Sequence, residues 1–109
     1  MKNYKFKIPI YYDTLCVIKT NNLKKVAKKF GMHFKPCAAF VFKIQKKSGR
    51  TIYYAAFDYT NPHVIAHETV HLVNLIFKDR GVYLDLENDE PQAYLTGWVF
   101  NKIFTSLKK

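Results

Sequence analysis

The sequence contains few cysteines, and their positions do not suggest a disulfide framework. Cys16 and Cys37 are the only two, and they are far apart with no CxxC pair. Isolated cysteines in a chain without a secretion signal are usually reduced and behave as small apolar residues. We therefore predict two buried, free thiols.

Long apolar segments are also missing. The lysines near the N-terminus are not followed by the apolar run of a signal peptide, because Pro9 and Asp13 interrupt it. The most apolar segment is broken by His67, Glu68 and His71, so no transmembrane helix is expected. These absences predict a protein that stays in the cytoplasm of the producing or host cell and has no membrane partner.

Acidic residues are scarce in the first half of the chain. Residues 1–57 contain thirteen Lys or Arg and one acid, Asp13, a balance of +12 (13 − 1). Residues 58–109 contain five Lys or Arg and seven acids, a balance of −2 (5 − 7). The basic half predicts attraction to nucleic acid or another acidic partner, although a solvated lysine-rich surface has the same composition. The clearest candidates for such contacts share one predicted helical face: Lys24, Lys25, Lys28 and Lys29.

The apolar pattern predicts one α+β domain spanning residues 1–109. Hydrophobic residues make up 49% of the chain, which is enough for a core. Alternating residues favour strands near 4–10 and 15–18 and a hairpin of 38–44 with 51–57, which together predict a small antiparallel sheet. Helical spacing and capping residues predict a short helix from Asn22 to Phe30, a long helix from Asn61 to about Lys78, and a C-terminal helix capped by Asn88 or Asp89.

The strongest functional pattern is the HExxH motif, His67-Glu68-Thr69-Val70-His71. Residues four apart share one face of a helix, so two neutral imidazoles there can hold one Zn²⁺ ion. Glu68 lies beside them, where a carboxylate can act as a general base on water. Apolar residues surround almost the whole predicted helix, so we expect it to be central and buried, with metal binding offsetting the cost of burying these polar groups.

A third ligand is expected from the following helix, as in catalytic zinc sites that leave the fourth position to water. Glu90 is the leading candidate, and Asp85 and Asp89 are the alternatives. Ala93 and Gly97 are small residues four apart, which predicts a close helix crossing that brings Glu90 to the histidines. His63, one turn before His67, is expected to be exposed, with a supporting or replacement ligand role left open.

The pattern from Asn61 to Trp98 resembles the gluzincin branch of zinc metallopeptidases, and in particular small zincin-like proteins encoded by bacteriophages. The resemblance implies that His67, His71 and Glu90 are zinc ligands and that Glu68 is the general base. It also implies that a strand before the motif, here Tyr53–Phe57, borders the cleft and pairs with substrate. Many gluzincins have an acid one turn after the glutamate ligand, where this chain has Tyr94. The Tyr94 hydroxyl could instead donate a hydrogen bond to an oxyanion, and Tyr53, Tyr54 and Tyr83 are alternatives for this role.

Two functional hypotheses follow from the sequence. The first is a zinc-dependent metallopeptidase that hydrolyses a peptide bond in a peptide or protein substrate. The second is a non-catalytic phage or mobile-element protein, in which zinc has a structural or regulatory role and the basic half binds nucleic acid or a host protein. A combination of the two is also open: a nucleic-acid-associated protease that is localised by its basic surface.

Overall fold

The computed structural model describes residues 1–58 and 61–109, which form four strands and three helices. In chain order they are β1 (Lys2–Lys7), β2 (Thr14–Lys19), α1 (Leu23–Lys29), β3 (Ala39–Gln45), β4 (Thr51–Phe57), α2 (Pro62–Arg80) and α3 (Glu90–Leu107). The predicted α+β class is confirmed.

The four strands form one sheet in the order β1-β2-β4-β3. β1 pairs with β2 and β3 pairs with β4 in antiparallel fashion, but β2 and β4 are parallel. The sheet is therefore mixed, and the antiparallel prediction was wrong in this respect. The physical reason is burial: six of the seven residues of β4 are buried, so the hairpin places β4 inside the sheet beside β2. The crossover from β2 to β4 runs through α1 and β3.

The position of β4 also corrects the expectation for Tyr53–Phe57. This strand is hydrogen-bonded to β2 on one side and to β3 on the other, so it has no free edge for a peptide. β3 is the edge strand of this side of the sheet, and it packs beside α2. Its Lys43 and Gln45 are solvent-exposed, as is usual for an edge.

Two helical layers cover the two faces of the sheet. α2 and α3 pack on one face and enclose the main core, which includes Leu15, Tyr53, Phe57, Ile76 and Ile103. α1 packs on the other face through its buried residues Leu23, Val26 and Ala27. Because α1 and α2 pack on different faces of the sheet, the motif of α2 lies on the side of the molecule opposite α1.

Local signals account for the helix ends. The Asn61 side chain accepts a hydrogen bond from the His63 amide and Pro62 opens α2, while Gly81 ends it with φ of 68°. The Asn22 side chain caps α1 by accepting from the Lys25 amide. α3 begins after Asp89, whose side chain makes no capping hydrogen bond. The predicted helix starts at Asn61 and Asn22 are confirmed.

α2 is not buried on all sides, contrary to the sequence prediction. Ile65, Leu72 and Ile76 are fully buried, but His67, Val70, His71 and Asn74 form a solvent-exposed stripe on the opposite side. The apolar residues of the second half of the helix are sufficient to attach it to the sheet, which leaves this stripe free.

The packing of α3 also differs from the prediction. Ala93 and Gly97 face solvent, and α3 contacts α2 and the sheet through residues at every fourth position: Leu95, Val99, Ile103 and Leu107. Burying a large aliphatic side chain stabilises a fold by about 1.5–3 kcal/mol. Ala93 and Gly97 have little apolar surface to bury, so burial of the large side chains determines which face of α3 packs inward. α3 is therefore rotated away from the orientation that we expected.

The cysteine prediction is half right. Both thiols are free, and Cys16 is buried in the core beneath α1, but Cys37 is exposed in the segment that leads into β3.

Candidate metal centre

The HExxH motif lies on α2 with both histidines on its exposed stripe. His67 Nε2 and His71 Nε2 are 3.2 Å apart, and the two rings meet edge to face. Two nitrogens bound to one tetrahedral zinc ion at about 2.0–2.1 Å would be separated by roughly 3.3 Å. The distance between the two nitrogens is therefore close to that of two ligands of one ion, and it also suits a hydrogen bond between the two rings.

Glu68 differs from the histidines because it points toward the sheet and is buried, with 8% of its surface exposed. Its Oε2 lies 3.8 Å from His67 Nε2. Burial raises the pKa of the Glu68 carboxyl above its usual value, and the charges of His67 and His71 act in the opposite direction. A raised pKa brings a carboxylate closer to the range in which it exchanges protons near neutral pH.

The motif opens into a groove between α2 and the edge strand β3. The cavity in this groove has a volume of about 440 Å³. Its walls are formed by residues of both elements: Phe40, Val41, Glu68, His71, Asn74, Leu75 and Lys78. A base, an imidazole and an unpaired strand edge thus lie along one surface.

The predicted third ligand is not beside the histidines in this structure. Glu90 and Tyr94 line a different cavity, of about 290 Å³, whose other wall is the loop between β1 and β2. This placement follows from the packing of α3 through Leu95, which turns the first turn of the helix toward that loop.

The alternative ligands are not gathered at the motif either. Asp85 and Asp89 are exposed in the connection between α2 and α3, where Asp85 accepts a hydrogen bond from the Glu87 amide. His63 is exposed at the start of α2, as expected, and its backbone amide donates to the Asn61 side chain. Within residues 1–58 and 61–109 no three His, Cys, Asp or Glu side chains form a group that could hold a metal ion.

The four lysines predicted to contact nucleic acid, Lys24, Lys25, Lys28 and Lys29, are all exposed on α1. They lie on the other side of the sheet from the motif. The structure thus separates the two features that the sequence analysis selected.

Sequence reasoning missed a polar cluster that joins α2 to the sheet. The Tyr53 hydroxyl donates to Asp79 Oδ2 at 2.6 Å, and Lys43 Nζ donates to the other oxygen of the same carboxylate. Arg80 pairs with Asp13, which also accepts the Thr51 amide at 3.1 Å. These residues surround a cavity of about 200 Å³. No sequence pattern joins them, because they come from four separate segments.

Sequence reasoning also chose the wrong strand for the rim of the groove. β3 contains the charged and polar residues Lys43 and Gln45, whereas β4 contains no charged residue between Thr51 and Phe57. That difference in composition is the signal that distinguishes the edge strand from the central one.

Comparison of the chain with known proteins gives no match to a family model, a curated protein or a solved structure. In the described parts of the chain, none of the helices has the length and apolar character needed to cross a bilayer.

Proposed function

We propose that this protein is a zinc-dependent peptidase whose site is the groove between α2 and β3, acting in the cytoplasm of the producing or host cell. The observation that supports this proposal is the 3.2 Å separation of His67 Nε2 and His71 Nε2 next to a buried Glu68. An imidazole pair is a common zinc-binding unit, and neutral nitrogen donors of this spacing suit a tetrahedral ion.

His67 and His71 would hold the ion through their Nε2 atoms. A zinc ion bound there supplies Lewis acidity, which lowers the pKa of water and polarises a carbonyl group. The Glu68 carboxylate accepts a proton from the attacking water and delivers it to the leaving amine. Its position on the inner side of the histidines allows it to face the groove while remaining shielded from bulk water.

The edge of β3 supports a peptide as the substrate. Among the strands of residues 1–58 and 61–109, β3 is the last on its side of the sheet, so its outer backbone groups face no partner strand there. An extended peptide can pair with such an edge, and its alternate side chains then face the wall of the groove. The wall nearest to His71 includes the half-buried Val41 and Leu75, which favours an apolar side chain at this position.

A third protein ligand would come from the segment that comprises the α2–α3 connection and the first residue of α3. Glu90 remains the proposed residue, with Asp85 and Asp89 as alternatives in the same segment. All three are exposed, so a shift of this segment toward the histidines would not have to break a buried contact of their side chains. Bringing one of these carboxylates to the ion would complete a His₂-carboxylate set.

Metal content of the purified protein tests the proposal. We expect about one zinc ion per chain, with loss of zinc in His71→Ala and reduced affinity in Glu90→Ala. His63→Ala is the matched control, because it removes an exposed histidine of the same helix and should retain zinc. Absence of zinc from the unmodified protein, even after addition of zinc, would contradict the proposal.

Activity separates the peptidase from a non-catalytic zinc protein. Hydrolysis of a mixed peptide library, read by mass spectrometry, should occur with the zinc-loaded protein and stop in Glu68→Gln, which we expect to retain its zinc. A zinc-loaded protein that cleaves no peptide would favour the structural or regulatory role instead.

A further inference from the structure

We propose that the side of the molecule opposite the metal centre binds single-stranded nucleic acid. This lysine face consists of the exposed lysines of α1 and the two lysines of β1 that point to the same side of the sheet: Lys5, Lys7, Lys24, Lys25, Lys28 and Lys29. Lys5 is the register partner of Cys16, which belongs to the core beneath α1. Because alternate residues of a strand share one side of a sheet, Lys5 and Lys7 both point to the α1 side.

The charges of the lysine face are not neutralised by neighbouring acids. In residues 1–58 and 61–109, none of its six lysines forms an ion pair. Asp13, the only acid among residues 1–57, is 3% exposed and is paired with Arg80 on the other layer. Six of the seven remaining acids belong to α2, α3 or their connection. The fold thus converts a charge difference along the chain into a charge difference between two sides of the molecule.

Cations from two separate elements converge on this face. Burial raises the pKa of the Cys16 thiol, and the charges of Lys5 on β1 and Lys29 on α1 both act to lower it. These two lysines therefore lie near one point of β2 from different directions. Cations distributed over a surface suit the regularly spaced phosphates of a nucleic acid better than they suit a single carboxylate.

Aromatic rings accompany the lysines. Tyr12, next to β1 in the loop before β2, has 67% of its surface exposed and carries Lys7 Nζ at 5.3 Å from its ring centre. Its φ of 59° lies in the left-handed region, which is costly for a residue other than glycine. On α1, Lys29 Nζ lies 5.8 Å from the ring of the half-buried Phe30. An exposed ring beside a cation can stack on a base while the cation contacts phosphate.

The surface favours unpaired bases over a duplex and over a membrane. The bases of a duplex are already stacked, so Tyr12 can contribute a ring contact only to a single strand. A basic helix that binds membranes inserts apolar side chains into the bilayer. Here Leu23, Val26 and Ala27, the apolar side chains of α1, are buried against the sheet and are not available for insertion.

Fluorescence anisotropy with a labelled single-stranded DNA of about 20 nucleotides tests the electrostatic part, by titration at several salt concentrations. We expect affinity to fall as salt rises. The double variant Lys5→Gln/Lys29→Gln should weaken binding and reduce the slope of log affinity against log salt by about 1.4, which is roughly 0.7 for each lost phosphate contact. Lys78→Gln/Lys102→Gln is the matched control, because it removes the same charge from α2 and α3, and its slope should not change.

The aromatic part is tested with Tyr12→Ala. We expect single-strand affinity to fall by about fivefold to 150-fold, the loss typical of removing one aromatic side chain that stacks on a base, with duplex affinity unchanged. Tyr83→Ala is the control, because Tyr83 is also exposed but lies beside α2. Circular dichroism should show that all variants remain folded.

Three results would overturn the proposal. They are the absence of salt-dependent binding, equal losses in the lysine-face and control variants, and tighter binding to phosphatidylserine vesicles than to the oligonucleotide. Loss of affinity for duplex and single strand alike in Tyr12→Ala would overturn the choice of a single strand. None of these measurements depends on zinc, so they remain informative whatever the metal analysis shows.

Discussion

Replacing Glu68 by glutamine should stabilise the metal-free protein at neutral pH. Glutamine has nearly the same shape as glutamate, so the packing of α2 against the sheet is preserved. The substitution removes a charge that is held in a largely buried position, where ionisation is disfavoured. A residue retained for chemistry at a cost in stability is expected to behave in this way.

The structure indicates the size of the effect. The nearest charge partner of Glu68 is His67, at 3.8 Å, whose side chain is 62% exposed. An ion pair with so exposed a partner contributes only about 0–1 kcal/mol, even when the histidine is protonated. Burial of the carboxylate is the larger contribution, so we expect Glu68→Gln to raise the free energy of unfolding by about 0.5–2 kcal/mol. For a domain near this size the melting temperature rises by roughly 4–8 °C per kcal/mol.

The pH dependence has a definite sign. The folded pKa of Glu68 is raised above its ordinary value of 4.5, so the folded state holds this proton more tightly than the unfolded state. The destabilisation by the carboxylate is therefore absent below pH 4.5, grows as the pH rises toward the folded pKa, and is constant above it. The advantage of Glu68→Gln should disappear at low pH and be complete at neutral pH.

Urea denaturation at several pH values in the presence of a chelator measures this difference. Glu87→Gln is the matched control, because Glu87 is exposed in the α2–α3 connection and its replacement should change stability by less than about 0.5 kcal/mol. If Glu68→Gln instead lowered the free energy of unfolding at pH 7, Glu68 would be a stabilising structural residue. The argument for a general base held in place at a cost would then fail.

Two further substitutions test the polar contacts between α2 and the rest of the molecule, and a third tests the loop between β1 and β2. Arg80→Ala leaves the buried Asp13 without its charge partner, so urea denaturation should show a loss of about 2–3 kcal/mol, whereas Lys78→Ala should lose little. Burial disfavours the Asp79 carboxylate, but hydrogen bonds from Lys43 and Tyr53 outweigh it and hold the pKa of Asp79 below its ordinary value of 3.8. The stability from these contacts is complete above pH 3.8 and is lost as the pH falls through the lower folded pKa, so acid titrations of wild type and Asp79→Asn should converge there. At pH 7 the difference in the free energy of unfolding should be below about 1 kcal/mol, because Lys43 is exposed and solvent screens its attraction to Asp79. Ile10 has φ of 69°, which is costly for a residue other than glycine, and 70% of its surface is exposed. Thermal melting should therefore show Ile10→Gly to be as stable as the wild type or more stable by up to about 1 kcal/mol. A loss of stability would show that the exposed Ile10 side chain stabilises the loop.

Local patterns predicted the elements of this fold well. Asn61, Pro62 and Gly81 mark the ends of α2 by chemistry that involves only adjacent residues. The pairing of β2 with β4 depends on which strand of a hairpin is buried on both faces, which is a property of the assembled sheet. The burial of β4 could have been inferred from its lack of charge, but its parallel partner could not.

In the candidate site, too, features that depend on neighbouring residues were predictable, and features that depend on the packing of helices were not. The spacing of His67 and His71 is set within one helix turn, so the sequence was sufficient to predict that their nitrogens would meet. The position of Glu90 depends on the rotation of α3 about its own axis, which is determined by the burial of Leu95, Val99 and Ile103. Small residues such as Ala93 and Gly97 permit a close crossing but contribute little energy toward it. We expected Ala93 and Gly97 to lie in the interface together with larger residues such as Ile103 and Leu107. The large side chains are buried as expected, but Leu95 and Val99 take the place of the small residues, and Glu90 then lies beside the loop between β1 and β2.

The two proposed surfaces lie on opposite sides of one sheet, and this has a consequence for how they would act together. A single-stranded nucleic acid bound along Lys5 and Lys29 would be separated from the two histidines of the motif by the sheet and by the core beneath α2. Nucleic acid would then hold the protein in place without covering the groove beside β3, which would leave the groove open to a peptide of a neighbouring protein. We therefore expect zinc to leave the affinity for single-stranded DNA unchanged, and we expect the same of Glu68→Gln. A change in DNA affinity on zinc binding, measured by anisotropy, would instead require the two sides of the sheet to be energetically coupled.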